Sequence, residues 1–270
     1  MFGNFFCDGN LIHTQVASSL LFDVSFQRGY GAFELLRTYN GVPFELGMHL
    51  KRLENSCKLL SIPLEFELEA LREHIESYPY KEDLCIRIYV TVGSGVGTGH
   101  VYTIFEPITH SPKSFYQDGI AAITTKESRF QPECKSTNYI ASLHALRTTM
   151  YPNVQEVLFL NSEGYILEGG TSNIFGVIDG KLYTAPHGVL KGITRSTVLD
   201  LFQGEVVQKF FSIDQLDECF LTGSLREVMP ITSVNGKPIR EGIVGQKTKE
   251  VISRFSAYKK GYATQQKTII

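Results

Sequence analysis

Glu156-Val157-Leu158-Phe159-Leu160-Asn161-Ser162-Glu163-Gly164-Tyr165-Ile166-Leu167-Glu168-Gly169-Gly170-Thr171-Ser172-Asn173-Ile174-Phe175-Gly176-Val177 sets two β-type runs around Asn161-Ser162-Glu163-Gly164, a segment with hairpin-turn chemistry. This places Glu168 at the end of the second strand, directly ahead of Gly169-Gly170 and a small, hydroxyl-rich loop. Glycines let backbone approach a ligand closely. A carboxylate at such a strand end suits a protonated pyridine nitrogen, because it holds that nitrogen charged and so makes the ring an electron sink. The stretch reads as a candidate cofactor seat.

Outward from this hairpin, the hydrophobic period changes at intervals. Towards the N-terminus, strands are predicted over 32–38 and 42–46, joined by the turn signal Asn40-Gly41. A helix over 48–60 carries its apolar stripe on Leu50, Leu53, Cys57 and Leu60 and stops at Ser61-Ile62-Pro63. A second helix is expected over 67–77. Strands over 85–92 and 101–105 flank Gly93 to His100, which suggests a hairpin with a mobile tip. Residues 111–117 have linker composition. They divide the chain into domains of residues 1–110 and 118–270. Beyond the linker, strands are expected over 120–125, 181–184, 219–222 and 228–234, with helices over 138–150, 194–202 and 247–255. The polar stretch 258–270 reads as frayed. Mixed strands, hairpins and helices argue an α+β fold rather than a doubly wound sheet.

Composition narrows the classes of function. A chain of 270 residues can bury a large core, and a formal net charge of -2 with scattered lysines and arginines offers no basic field for nucleic acid. Five cysteines, at 7, 57, 85, 134 and 219, include no C-x-x-C pair. Free thiols in a reducing compartment are expected. Cys134 reads as a packing residue, since no base or oxyanion site is in view. The seven histidines form no His-x-x-x-His cluster, so no metal site is expected. Gly93, Gly95, Gly97 and Gly99 are spaced wrongly for a dinucleotide loop. No stretch approaches the roughly 20 apolar residues of a membrane span, and the N-terminus lacks a basic region ahead of an apolar run. A cytoplasmic protein is expected.

Lys135, in Cys134-Lys135-Ser136-Thr137-Asn138-Tyr139, lies just ahead of a helical pattern and 33 residues before Glu168. Together the two positions resemble the class IV aminotransferase family, the fold type IV enzymes that use pyridoxal 5'-phosphate (PLP). The family's Schiff-base lysine sits in a short Lys-x-x-Asn-Tyr stretch. Its ring-nitrogen glutamate follows some thirty residues later in Glu-Gly-x-x-x-Asn-hydrophobic-Phe, which Glu168, Gly169, Asn173, Ile174 and Phe175 match in register. The resemblance runs from about Gly29 to Lys249. It implies a small N-terminal α/β domain, a larger C-terminal domain with a β-barrel core, PLP between them, and a homodimer in which the 93–100 loop covers the partner's site.

Phosphate needs exposed donors, and a helix N-terminus supplies them. Leu190-Lys191-Gly192-Ile193-Thr194-Arg195 fits that need and matches the family's Gly-Ile-Thr-Arg segment, which makes Ile193 and Thr194 phosphate contacts. By the same resemblance Ser224, in Thr222-Gly223-Ser224, is a second phosphate contact and Arg52 reaches the phosphate from the first domain. Tyr139 matches a residue that bonds the cofactor's phenolate oxygen in some members. Ser172 and Asn173 complete the expected cofactor set, with Lys135 as the catalytic residue.

The resemblance implies a substrate side formed by Phe33, Arg87, His100 and Leu225, with Arg87 as the candidate carboxylate partner, while Arg226 replaces a small residue usual near the cofactor and is a candidate second carboxylate contact. The compact length and the Val228-Met229-Pro230 ending point to 4-amino-4-deoxychorismate lyase. The alternative is an amino-acid transaminase of D-amino-acid or branched-chain type. A PLP-binding protein without turnover is a second alternative, motivated by two departures. Leu35 stands where the lyases commonly carry threonine, and the 93–100 loop has no arginine.

Overall fold

The computed structural model describes residues 6–7, 10–11, 21–64, 66–94 and 99–269. A short ladder pairs β1 (Phe6–Cys7) with β2 (Asn10–Leu11), and α1 (Val24–Arg28) follows. β3 (Ala32–Tyr39), β4 (Val42–Pro43), β5 (Leu84–Val90) and β6 (Val101–Pro107) then form an antiparallel sheet in the order β4-β3-β5-β6. Strand side chains alternate between faces. Ala32, Leu36, Ile86, Ile88 and Val90 therefore share the face that packs on α2 (Leu46–Leu59) through Leu50, Leu53 and Cys57. Phe33, Leu35, Arg87 and Tyr89 lie on the other face. α3 (Leu68–Glu76) adds Leu71 and Ile75 to the same core.

The second half is built on a closed ring of six strands. β7 (Ile120–Thr125), β8 (Val154–Leu160), β9 (Ile166–Gly169), β10 (Asn173–Ile178), β13 (Glu218–Gly223) and β14 (Glu227–Val234) close through the single pair Asn173 and Glu168. β7 runs parallel to both β8 and β14, and the other neighbours are antiparallel. β11 (Lys181–Thr184), β12 (Val206–Gln208) and β15 (Lys237–Pro238) extend the sheet. Alternation again sorts the side chains. Ile174 and Leu221 enter the core with Leu158, Ile166 and Met229, whereas Phe175, Val177 and Phe220 pack on the opposite face against α6 (Ile193–Leu201) and α7 (Gln246–Ile269). The mixed α+β architecture is the one expected. No helix of the described residues is long and apolar enough to cross a membrane.

Three local expectations are corrected. Within the linker segment, residues 113–117 form α4 (Lys113–Gln117), because Phe115 and Tyr116 find apolar partners on the barrel. The strand expected over 42–46 is only Val42–Pro43. α7 does not end at Phe255 but runs through the stretch expected to fray. Val251, Phe255, Tyr258 and Tyr262 recur at helical spacing, so the aromatic stripe continues under the polar composition. Tyr258 donates to Glu45 Oε1 at 2.8 Å, and the Tyr262 hydroxyl accepts from Glu45 N–H at 3.0 Å. Residues 95–98, the tip of the expected loop, lie outside the described residues.

Candidate active site

The Lys135 segment is fixed by three hydrogen bonds before the lysine side chain begins. The Lys135 carbonyl accepts from Phe33 N–H at 3.0 Å, its own N–H donates to Ser56 Oγ at 3.0 Å, and Thr137 N–H donates to Gly31 O at 2.9 Å. The segment thus runs as an extra rung beside β3, between the first sheet and α5 (Ile140–Thr148). The amine is buried, with Nζ 4.4 Å from the centre of the Phe33 ring. Burial first, and then the Arg52 cation, pull its pKa from the usual 10.5 down to about 7. Neighbouring Cys134 is buried, donates to Ser56 O at 3.6 Å and has its pKa raised by burial, which fits packing.

Glu168 lines the same cavity as Lys135. Arg129 Nη1 donates to its Oε1 at 2.6 Å, and Leu190 N–H donates to its Oε2 at 2.9 Å. Burial pushes this carboxyl upward, while Arg129 and the Leu190 N–H oppose the shift. The adjoining glycines are required sterically. A Cβ on Gly169 would lie 2.2 Å from Ser172 Oγ, and Ser172 itself donates to buried Glu156 at 2.8 Å.

The far end of the cavity is a nest of donors. Arg52 is held by Glu34, which accepts from Nε at 2.7 Å and from Nη2 at 2.8 Å, while His49 Nδ1 donates to the same carboxylate at 2.7 Å. Arg52 and His49 hold the buried Glu34 carboxyl well below the usual carboxylate range, against burial, the largest influence, which would raise it. The remaining donor, Arg52 Nη1, reaches Lys191 O at 3.1 Å. Beside it α6 opens at Ile193 and Thr194, whose N–H groups have no partner within the helix. The approach is tight: Asn173 Nδ2 donates to Leu190 O at 2.8 Å, and a Cβ on Gly192 would fall 1.9 Å from Asn173 Oδ1. Thr222 Oγ1 is buried against this end without a hydrogen-bond partner.

Arg52, Lys135, Tyr139, Glu168, Ser172, Asn173, Ile193, Thr194 and Ser224 all line one narrow cavity. The five substrate-side candidates do not line it. Phe33 sits under Lys135, stacks on Tyr89 and meets Tyr139 edge-on. Arg87 shares that face of the sheet but is ion-paired with Glu106 of β6. His100 lies at the described base of the 93–100 loop, its ring 5.8 Å from Tyr102. Leu225 and Arg226 follow Ser224 in the turn between β13 and β14. The Arg226 guanidinium is committed to Glu156, Thr171 Oγ1 at 2.6 Å and Gln155 O at 3.3 Å, so the free carboxylate partner expected there is a brace for the 170–172 loop.

Sequence reasoning missed Arg129, Thr222, Glu34 and His49. Glu34 left a trace, being the one acidic residue in a largely apolar strand run, ahead of His49 and Arg52, which share a helix face at spacing i, i+3. Arg129 left none, since its loop follows no period. Among the described residues no cluster of His, Cys, Asp and Glu is able to hold a metal ion.

The sequence model of the family described as amino-transferase class IV matches residues 31–234. A Methanocaldococcus jannaschii protein provisionally named a branched-chain-amino-acid aminotransferase is 34% identical, over 93% of this chain and 94% of its own. The Bacillus licheniformis D-alanine aminotransferase is 28% identical, over 90% and 93% of the two chains. Among solved structures, the T.th. branched-chain amino acid aminotransferase with pyridoxamine 5'-phosphate is 26% identical and superposes with a TM-score of 0.82, covering 94% of this chain and 93% of that one. These relatives are aminotransferases by name, so the lean towards 4-amino-4-deoxychorismate lyase gives way to its transaminase alternative. That outcome agrees with Leu35, which stands where the lyases commonly carry threonine. The chain belongs to the class IV aminotransferases.

Proposed function

We propose that the chain is a PLP-dependent amino-acid transaminase of branched-chain or D-amino-acid type, with Lys135 as its catalytic residue. The observation that carries this reading is the shared cavity: a buried amine of lowered pKa and a buried glutamate both border a space that ends in Arg52, a helix N-terminus and an orphaned Thr222 hydroxyl. The residues fit the cofactor. Arg52, the Ile193 and Thr194 N–H groups, Thr222 and Ser224 would hold the phosphate, Glu168 the ring nitrogen, Tyr139 the phenolate oxygen and Lys135 the aldehyde carbon. Bound there, PLP supplies an electron sink for the charge left when a Cα proton is removed.

The protein's own part follows from its geometry. At neutral pH a sizeable fraction of Lys135 is free amine, able to act as nucleophile and then, once released, to take a proton from substrate Cα and return it elsewhere. Glu168, whose carboxyl accepts from Arg129 Nη1 and from Leu190 N–H, would hold the proton of a ring nitrogen bound against it. Burial raises the pKa of Tyr139, which keeps its hydroxyl protonated and able to donate. Phe33, which packs beneath the Lys135 amine and stacks on Tyr89, is the candidate for the substrate side in this reading. The two-domain division, with a linker at 111–117, and the homodimer belong to the same reading. Exposed Phe130, Ile140, Leu143 and Met150 around the Lys135 segment supply apolar surface for a second subunit.

The test is spectroscopic and then enzymatic. The purified protein should absorb visibly as a lysine-bound PLP, lose that band on borohydride reduction, and never show it as Lys135→Ala. Incubation with branched-chain L-amino acids or D-alanine and 2-oxoglutarate should yield glutamate. Absence of cofactor on Lys135, or release of pyruvate and 4-aminobenzoate from aminodeoxychorismate without transamination, would overturn the reading.

A further inference from the structure

Glu227 sits in the left-handed region, with φ at 55°. For a non-glycine residue such backbone costs on the order of 1–3 kcal/mol and persists only where the surroundings over-determine it. Here they do. Glu227 Oε1 accepts from Arg37 Nη1 at 3.2 Å and from the Tyr39 hydroxyl at 2.9 Å, and Oε2 accepts from Lys259 Nζ. The Arg37 and Lys259 cations also face the Tyr39 ring, 4.4 and 5.2 Å from its centre. One carboxylate therefore joins β3 to α7, and all four side chains are largely buried.

Glu227 pairs with Gly223 across the hairpin and so closes the turn that carries Ser224. Thr222, Gly223 and Ser224 line the cavity, whereas Glu227, Arg37, Tyr39 and Lys259 do not. The next residue back, Arg226, is anchored on the opposite side by Glu156 and Thr171. The turn is held between two ionic anchors pointing to different parts of the molecule.

We propose that Glu227 is a positioning residue: from outside the cavity it fastens the Thr222–Arg226 turn to the first sheet and the closing helix, and so sets the affinity for cofactor and substrate. This rests on the reading that Lys135 carries PLP. The experiment compares full-length Glu227→Gly, Glu227→Gln and Lys259→Met with the parent protein. Glycine removes the anchor but accepts the left-handed backbone, glutamine keeps an acceptor oxygen without the charge, and Lys259 is remote from the cavity.

Titration of each cofactor-free protein with PLP, followed by absorbance, should show Glu227→Gly binding about tenfold more weakly, as expected for loss of a charge-assisted anchor. Lys259→Met and Glu227→Gln should fall between it and the parent. Under saturating PLP, KM for the amino donor should rise with kcat within roughly threefold, a split that uniform loss of binding produces and general destabilisation does not. Melting of cofactor-free Glu227→Gly should fall, because relief of backbone strain offsets only part of the lost anchor, so affinities are compared well below its melting temperature. PLP affinity and KM within twofold of the parent in Glu227→Gly would overturn the proposal, as would unchanged values in Lys259→Met should the glycine variant not fold. A parent protein that never takes PLP onto Lys135 would instead sink the functional reading.

Discussion

A buried lysine ammonium has lost its hydration, and at Lys135 the nearby Arg52 cation disfavours it further. The linkage follows from a folded pKa of about 7 against the usual 10.5: between these values the unfolded chain holds a proton that the fold does not, so stability of the cofactor-free protein rises with pH across that window. Lys135→Met should therefore melt higher than the parent at pH 7 and below, with the gain fading as pH approaches 10. A scan of melting temperature against pH checks this, and a constant offset would contradict it. Glu168 is the complementary case. Arg129 is its only side-chain cation contact at hydrogen-bond distance among the described residues. Removing one partner of a buried charge-assisted bond costs about 1.5–3 kcal/mol. Arg129→Gln should therefore weaken PLP binding roughly ten- to hundredfold, measured by absorbance titration. Lys135 and Glu168 were legible because each sits in a local motif. Arg129 was not, because its contact to Glu168 spans 39 positions and exists only once the chain has folded.

The start of α6 shows how far a neighbouring strand dictates a helix. Gly192 has φ of -66° and ψ of 136°, a conformation any residue adopts, so the glycine is demanded by space rather than by torsion. The space belongs to the Asn173 side chain. Gly192→Ala should push that carboxamide aside, break its bond to Leu190 O and shift the donors at Ile193 and Thr194. Asn173→Ala removes the obstacle and the bond together. The pair should then be non-additive, with coupling on the order of 0.5–3 kcal/mol, because the alanine at 192 costs little once residue 173 is short. A denaturation double-mutant cycle with additive losses would contradict this packing account. Strands bounded by turn chemistry, such as Ile120–Thr125 and Lys181–Thr184, were legible to the residue. β12 and β15 were not, since three and two residues carry no period and pair only because a longer strand offers an edge.

At the level of the whole molecule, α7 decides how the two halves meet. Its first turns pack on α6 and the barrel, and from Tyr258 onward it also reaches the first 50 residues: Tyr258 and Tyr262 meet the Phe44 ring edge-on at 6.1 and 4.9 Å, both engage Glu45, and Ala263 is fully buried. Composition concealed this, because the tail is polar except on the one face that carries the tyrosines. Ending the chain after Ala257 removes two edge-on aromatic pairs worth about 0.5–1.5 kcal/mol each beyond their buried area. It also removes two hydrogen bonds of about 1 kcal/mol each and the Lys259 arm of the Glu227 anchor. Losses on the order of 4 kcal/mol correspond to a fall of roughly 10 °C in melting temperature for a chain of this size. Because Glu227 loses one of its three partners, the truncated protein should also bind PLP less tightly, and added PLP should recover only part of the lost stability. A truncated protein that melts within about 2 °C of the full chain would show the tail to be a passive extension.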